Sequence, residues 1–350
     1  MSFNSIKIAV LWRPGRNIEW QGKYLGEDIP DDAIEEAISY RDSLRDIGYL
    51  AELVKWQKDD IPKMLAELRH YDLIFNASSL QEIALLEICG FLFCGSPLEL
   101  VSLDKATRKK IWAYHEVPTA PFFVIDKDER DGGHIIGLNK LKDPQRGPPN
   151  IPIGFPLFVK PVRGRNSTGI SDDSIVYNHE ALVRQAEKII KRLDQGALVE
   201  TYIKGQEVTV GLIGNPPTVL EPLEIEYNKT LTNTFEHKKD NEIVHCPARL
   251  KKETREKVKE VALCAYKTLG ARDFGRVDTI IDPDGNPIVI EINTFAGLQV
   301  LTGNEKHLHS SYIGIMAKKM GFNRGMVFEK IVKSAVSRAA SQFPVVPNQQ

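Results

Sequence analysis

Asp284-Gly285 stands between two β-branched, apolar runs, 277–281 and 288–292. This constrains the chain more than any other feature, because it predicts a hairpin whose register can be counted. With those two residues as the loop, Pro283 faces Asn286, Asp278 falls opposite Glu291, and Arg276 falls opposite Asn293. Directly paired residues share a face of a sheet, and so do positions i and i+2. Arg276, Asp278, Glu291 and Asn293 therefore collect on one side of an otherwise apolar hairpin. Two facing carboxylates repel, and such a pair usually needs a cation. Two carboxylates and an amide carbonyl, with no His or Cys nearby, are hard donors that suit magnesium or manganese better than zinc. Magnesium commonly takes one or two carboxylates and completes its shell with water and nucleotide phosphates. The hairpin thus points to Asp278, Glu291 and Asn293 as metal ligands with a nucleotide beside them; the competing reading is a solvated acidic face.

At 350 residues the chain is too long for one compact core and is expected to form two or three domains. A hydrophobic content of 42% and a charged content of 27% are those of a soluble globular protein. The formal net charge of -1 makes no electrostatic case for nucleic acid or a membrane surface. No apolar run approaches the length of a bilayer span, and the N-terminus lacks a signal-peptide pattern. Cys89, Cys94, Cys246 and Cys264 have neither metal-site nor disulfide spacing, so a cytoplasmic location is expected.

The first hundred residues alternate strands (6–11, 50–54, 73–76, 91–94) with helices (33–47, 61–68, 81–89), which predicts a small doubly wound parallel sheet. Its first loop, 12–30, falls at the ligand end of such a sheet. A helix over 104–115 and a strand over 119–124 precede a polar excursion, 126–153, to which no chemistry is assigned. Beyond it the pattern predicts a helix over 179–193, strands over 197–202, 207–213 and 219–226, a second excursion over 229–241, and a helix over 251–269. Helices over 310–320 and 325–339 follow the hairpin.

Lys160 ends a buried strand and is followed by VRGRNSTG. A lysine there reaches forward as a point charge, and Gly164, Asn166, Ser167, Thr168 and Gly169 let backbone amides approach anionic oxygens. The segment is neither a Walker A sequence nor GxGxxG, so an ordinary Gly-rich turn stays open. Glu200 interrupts an apolar strand and Glu207 follows the Gly205 turn. Both are placed to accept from ribose hydroxyls while the strand backbone pairs with an adenine edge; solvated strand-edge glutamates are the alternative. Lys105 begins the 104–115 helix, where a solvent-facing role is the alternative.

Read in order, LDK (103–105), VKP (159–161), RNSTG (165–169), VETYIKGQEVTV (199–210), CPA (246–248), FGRVD (274–278) and EINTFAG (291–297) resemble the ATP-grasp ligases. Within them, the chain is most similar to D-alanine–D-alanine ligases, over roughly residues 73–340. The resemblance implies an α/β fold, α+β overall. A doubly wound parallel sheet (1–103) would precede two α+β subdomains, 104–200 and 201–345, that enclose ATP. It implies that Lys105 and Lys160 contact ATP phosphates, that Asn166, Ser167 and Thr168 close over them, and that Ser167 belongs to the catalytic set. Glu200, Thr201, Tyr202 and Ile203 correspond to the adenine-binding strand, and Glu207 to the ribose partner. Asp278, Glu291 and Asn293 match the magnesium ligands, Arg276 the oxyanion-stabilising arginine, Gly297 the second-substrate amides, and Lys229 a mobile-loop lysine near the γ-phosphate.

The implied chemistry transfers the γ-phosphoryl group of ATP to a carboxylate, and an amine then attacks the acyl phosphate. The resemblance further implies small amino-acid or carboxylate substrates, a place in peptidoglycan biosynthesis and a homodimer, with no nucleic-acid or membrane partner. The departures lie on the amino-acid side. The GG-S-E motif is absent from LWRPGRNIEWQGKYLG, with Glu35 as a displaced equivalent; HG-GEDG is replaced by NASSLQEIA; and Gly164 stands where the closing loop usually has a glutamate. Two rival readings are a nucleotide-binding protein without ligation and a kinase that stops at phosphoryl transfer.

Overall fold

The computed structural model describes residues 6–13, 16–20, 23–29, 33–57, 59–77, 80–127, 135–142, 153–164, 169–227, 242–300 and 311–342. The chain begins with β1 (Lys7–Trp12), β2 (Arg16–Trp20), β3 (Lys23–Ile29), α1 (Ala33–Asp46), β4 (Leu50–Lys55), α2 (Ile61–Leu68), β5 (Leu73–Asn76), α3 (Leu80–Ile88), β6 (Phe93–Cys94) and α4 (Leu98–Ser102). The expected parallel sheet is present in the order β4-β1-β5-β6. Its central strands are buried on both faces, as helices packed on either side of a parallel sheet require. The segment 12–30, expected to be a loop, instead contains the antiparallel ribbon β2–β3. Its glycines and charges hid two short strands that carry β-branched and aromatic residues.

The second part comprises α5 (Lys105–Tyr114), β7 (Phe122–Asp126), β8 (Ile135–Gly137), α6 (Leu138–Lys142), β9 (Leu157–Pro161), β10 (Ile175–Val176), α7 (His179–Leu193) and β11 (Ala197–Thr201). Its sheet runs β10-β9-β11-β7-β8 and is antiparallel except where β7 meets β8. The polar segment over 126–153, expected to be a surface excursion or loop, supplies β8 and α6. Ile136, Leu138 and Leu141 anchor them in the core beneath α7.

The third part comprises β12 (Gln206–Ile213), β13 (Thr218–Val219), β14 (Leu223–Tyr227), β15 (Glu242–His245), α8 (Lys252–Thr268), β16 (Phe274–Ile281), β17 (Pro287–Asn293), α9 (Tyr312–Lys319) and α10 (Arg324–Gln342). The sheet order is β15-β14-β12-β16-β17, with β13 paired to β12. The single strand expected over 219–226 is split, because Pro222 has no N–H to give to a ladder. The largest core joins both ends of the chain: Ile8, Val10 and Phe75 of the first sheet pack with Met316, Phe328 and Ile331 of α9 and α10. Among the described residues no helix is long and apolar enough to cross a membrane.

Asp273, just before β16, ties these layers together. It is fully buried and its φ is +66°. Its carboxylate accepts from Gly95 N (2.8 Å), Ser334 Oγ (2.6 Å) and Arg338 Nη1 (2.5 Å), joining the end of β6 and α10 to the start of the hairpin.

The hairpin has the counted register at its far end, although its turn differs. Asp282 N donates to Asn286 O and Gly285 N to Asp282 O, and Gly285 has φ +83°. This is a three-residue loop closed by a left-handed glycine, not a two-residue loop. Pairing near the turn is therefore displaced by one residue, with Ile281 opposite Pro287 and Thr279 opposite Val289. A bulge at Ile290 takes up the extra residue, so Asp278 still meets Glu291 and Arg276 still meets Asn293.

Candidate functional site

The hairpin faces the second sheet across a cavity of about 180 Å³. Lys109, Lys160 and Glu200 line it from α5, β9 and β11, and Arg276, Asp278 and Glu291 line it from the hairpin. Thr201, Tyr202, Ile203 and Glu207 close the side where β11 passes into β12. Period-two alternation sends Leu157 and Val159 of β9 into the core and leaves Phe158 and Lys160 on the cavity side.

At the lysine end, Lys160 Nζ lies 2.6 Å from Glu200 Oε1, and Lys109 Nζ lies 3.1 Å from Glu200 Oε2. All three side chains are at least nine-tenths buried. Burial opposes charging the Glu200 carboxyl, but the two ammoniums prevail and hold it down at about 2. Glu200 was expected to accept from ribose; its carboxylate is instead occupied by two lysines, a partnership set by long-range contacts between α5, β9 and β11. Lys109 was not singled out from sequence. The available signal was its spacing of four from Lys105, which places both lysines on one side of α5. Lys105 Nζ donates to Gly164 O at 2.7 Å. Burial pushes the Lys105 ammonium down to about 8, with Lys160 and Arg108 adding to the fall and Glu291 opposing it.

The amides of Thr201 and Tyr202 donate to Pro121 O and Pro156 O at 3.0 and 3.1 Å. Any pairing of this strand with a base edge therefore falls to its other main-chain groups. Glu207 Oε1 accepts from Tyr227 Oη at 3.4 Å, and burial, followed by Glu207, pushes the Tyr227 hydroxyl far above its ordinary value.

At the hairpin end, Arg276 Nε and Nη2 donate to Asp278 Oδ1 and Oδ2 at 2.8 and 3.0 Å, and Thr209 Oγ1 donates to Asp278 Oδ1 at 2.5 Å. The Tyr312 ring covers the guanidinium, 4.8 Å from Cζ to centroid. Burial alone would lower the Arg276 value, yet Asp278 raises it above the ordinary arginine range. Asn293 Oδ1 accepts from Phe295 N at 3.0 Å, and Asn293 does not line the cavity. Among the described residues no group of three or more His, Cys, Asp or Glu could hold a metal. Asp278 and Glu291 nonetheless fit magnesium, which accepts two carboxylates and keeps positions for water and phosphate.

On the amino-acid side, Glu35 is exposed at the start of α1. Its neighbour Glu36 points inward: Tyr40 donates to Glu36 Oε1, and Leu298 N donates to Tyr40 Oη at 2.9 Å. A Cβ added to Gly297 would lie 3.5 Å from that same Glu36 oxygen. Glu36, one position after Glu35, is the glutamate that lies near Gly297, for a helical reason. Ala37, Tyr40 and Leu44 form the buried stripe of α1, and Glu36, four residues before Tyr40, borders it. Asn166, Ser167, Thr168 and Lys229 lie outside the described residues.

A family model described as "D-ala D-ala ligase C-terminus" matches residues 111–336. A D-alanine--D-alanine ligase from Pelotomaculum thermopropionicum is 32% identical over 222 residues, covering 61% of this chain and 65% of the relative. The chain thus spans just under two thirds of that relative's length. A D-alanine--D-alanine ligase from Alcanivorax borkumensis is 28% identical over 311 residues, covering 84% of this chain and 86% of the relative. Among solved structures, D-alanine--D-alanine ligase from Bacillus anthracis complexed with ATP superposes with a TM-score of 0.69 at 21% identity, covering 97% of this chain and 100% of that one. That likeness shows the fold, the α/β ATP-grasp arrangement.

Proposed function

The chain belongs to the D-ala D-ala ligase C-terminus family, and from that premise we propose that it is an ATP-dependent ligase joining a carboxylate to an amine through an acyl phosphate. The observation that carries this reading is a single cavity lined by the buried Lys109–Glu200–Lys160 group, the 201–203 strand end and the Arg276–Asp278–Glu291 face. Lys160 and Lys105 bind the phosphates of ATP, and Thr201, Tyr202, Ile203 and Glu207 hold its nucleoside. A magnesium ion on Asp278 and Glu291 would offset charge on the phosphate oxygens. Arg276 is aimed by Asp278 and Tyr312 and stabilises the oxyanion that develops when the amine attacks the acyl carbon. Glu36, beside Gly297, receives the ammonium of an α-amino acid. An α-amino acid is therefore the substrate class, and D-alanine, on which the relatives' names agree, is the first candidate. The free cysteines fit a reducing cytoplasm.

ADP and phosphate release, measured against a panel of D- and L-amino acids with mass identification of the product, tests this reading. Phosphate release that depends on an amino acid and yields a dipeptide is expected; its absence across the panel would sink it. Nucleotide binding should also depend on pH. Lys105 loses its proton as pH rises through about 8, and a bound phosphate favours the charged form. Below about pH 7 protonation of the nucleotide's own terminal phosphate also weakens binding, so the Lys105 effect is read above pH 8, where ADP affinity in magnesium-free buffer should decline by up to about tenfold per unit. Lys105→Met should remove the decline, and a profile unchanged by that substitution would exclude Lys105 as its source.

A further inference from the structure

The Lys109–Glu200–Lys160 group contains two buried cations and one carboxylate, and the nucleotide reading above assigns a role only to Lys160. Each ammonium has its own setting. Lys160 lies over the Phe158 ring, 5.7 Å from its centroid, and Lys109 lies over the Phe122 ring at 5.3 Å. Lys109 Nζ also donates to Thr119 Oγ1 at 2.6 Å, and that hydroxyl donates onward to Val289 O at 3.0 Å. Lys109 is therefore pinned between the second sheet and the hairpin, and its side chain is 1% exposed. Lys160 and Glu200 alone would form a neutral pair, with little attraction for an entering anion. With Lys109 on the second carboxylate oxygen, two ammoniums face one carboxylate and the group keeps one net positive charge. In a buried setting that unbalanced charge acts on a nearby anion far more strongly than it would in water.

We propose that Lys109 tunes the nucleotide site through Glu200: by pairing with the second carboxylate oxygen it leaves the Lys109–Glu200–Lys160 group cationic for the phosphates of the nucleotide. The proposal rests on the nucleotide reading of the cavity. It makes phosphate affinity follow the net charge of the group. Lys109→Met leaves the group neutral, Lys109→Met with Glu200→Gln restores one positive charge, and Glu200→Gln alone leaves two.

Calorimetric titration with ATP and with adenosine, at fixed magnesium, separates charge from shape. Lys109→Met is expected to weaken ATP on the order of tenfold or more while adenosine changes by less than about twofold. Adding Glu200→Gln is expected to return ATP affinity to within about threefold of wild type, and Glu200→Gln alone to bind ATP at least as tightly as wild type. The proposal is overturned if Lys109→Met binds ATP as wild type does, if it loses adenosine equally, or if the double variant is no better than the single one. Should Lys109→Met fail to fold, Lys109→Gln removes the same charge but keeps a polar group beside Thr119 and Glu200. A several-fold loss confined to ATP is expected there, and unchanged ATP affinity overturns the proposal. Wild-type protein that binds no ATP overturns this proposal and the nucleotide reading together, whereas failure of ligation alone is read separately, by phosphate release.

Discussion

Arg276→Ala is expected to slow amino-acid-dependent phosphate release by about a hundredfold or more while changing adenosine affinity by less than about threefold. The guanidinium reaches the cavity already organised: one donor edge is on the Asp278 carboxylate, and its face lies under the Tyr312 ring. Such a group needs little reorganisation when an oxyanion forms, and oxyanion donors are worth most when fixed in advance. The same substitution strips Asp278 of its cation. That carboxylate is 8% exposed, and Thr209 would be its remaining hydrogen-bond donor among the described residues. A stability loss of about 3 kcal/mol should accompany the rate loss in metal-free protein. Arg276→Lys separates the two effects: it returns the charge but not the planar fork. Stability should largely recover while the rate stays low. Steady-state phosphate release and urea unfolding read the two quantities, and an equal loss of ATP affinity would make Arg276 a phosphate ligand instead.

Asp273→Ala is expected to destabilise the protein by about 3–5 kcal/mol, the scale for removing one partner from a buried charge pair. The loss strands the Arg338 guanidinium, the Gly95 amide and the Ser334 hydroxyl at the junction of β6, α10 and β16. Alanine is also a poor occupant of the left-handed backbone at φ +66°. Asp273→Asn together with Arg338→Met removes both charges and keeps a residue that tolerates this conformation, so it should recover part of the loss. Urea unfolding measures both variants, and a loss below about 1 kcal/mol would show that the junction does not depend on the charge.

Where the controlling physics is local, the chain could be read without its partners. The helices over 61–68 and 179–193 follow 3.6-residue periodicity, and Asp60 and Asn178 cap them by accepting from Lys63 N and Ala181 N. The hairpin count survived because strand alternation is local and has a period of two, although the turn and the bulge at Ile290 each displaced it by one residue in opposite senses. The ribbon β2–β3 and the β8–α6 insertion were less legible. Their short elements gain stability from pairing or packing with chain that a sequence window does not contain.

The sequence by itself determined which residues share the hairpin face, where Lys160 ends its strand, and that glutamates at 200 and 207 flank the Gly205 turn. Those properties follow from backbone period and turn chemistry. Only the tertiary structure decided that Glu36 rather than Glu35 meets Gly297, that Lys109 shares Glu200 with Lys160, and that Asp278 holds Arg276. A buried charge takes the partner that packing brings within hydrogen-bonding reach, and that partner is often far away in the chain.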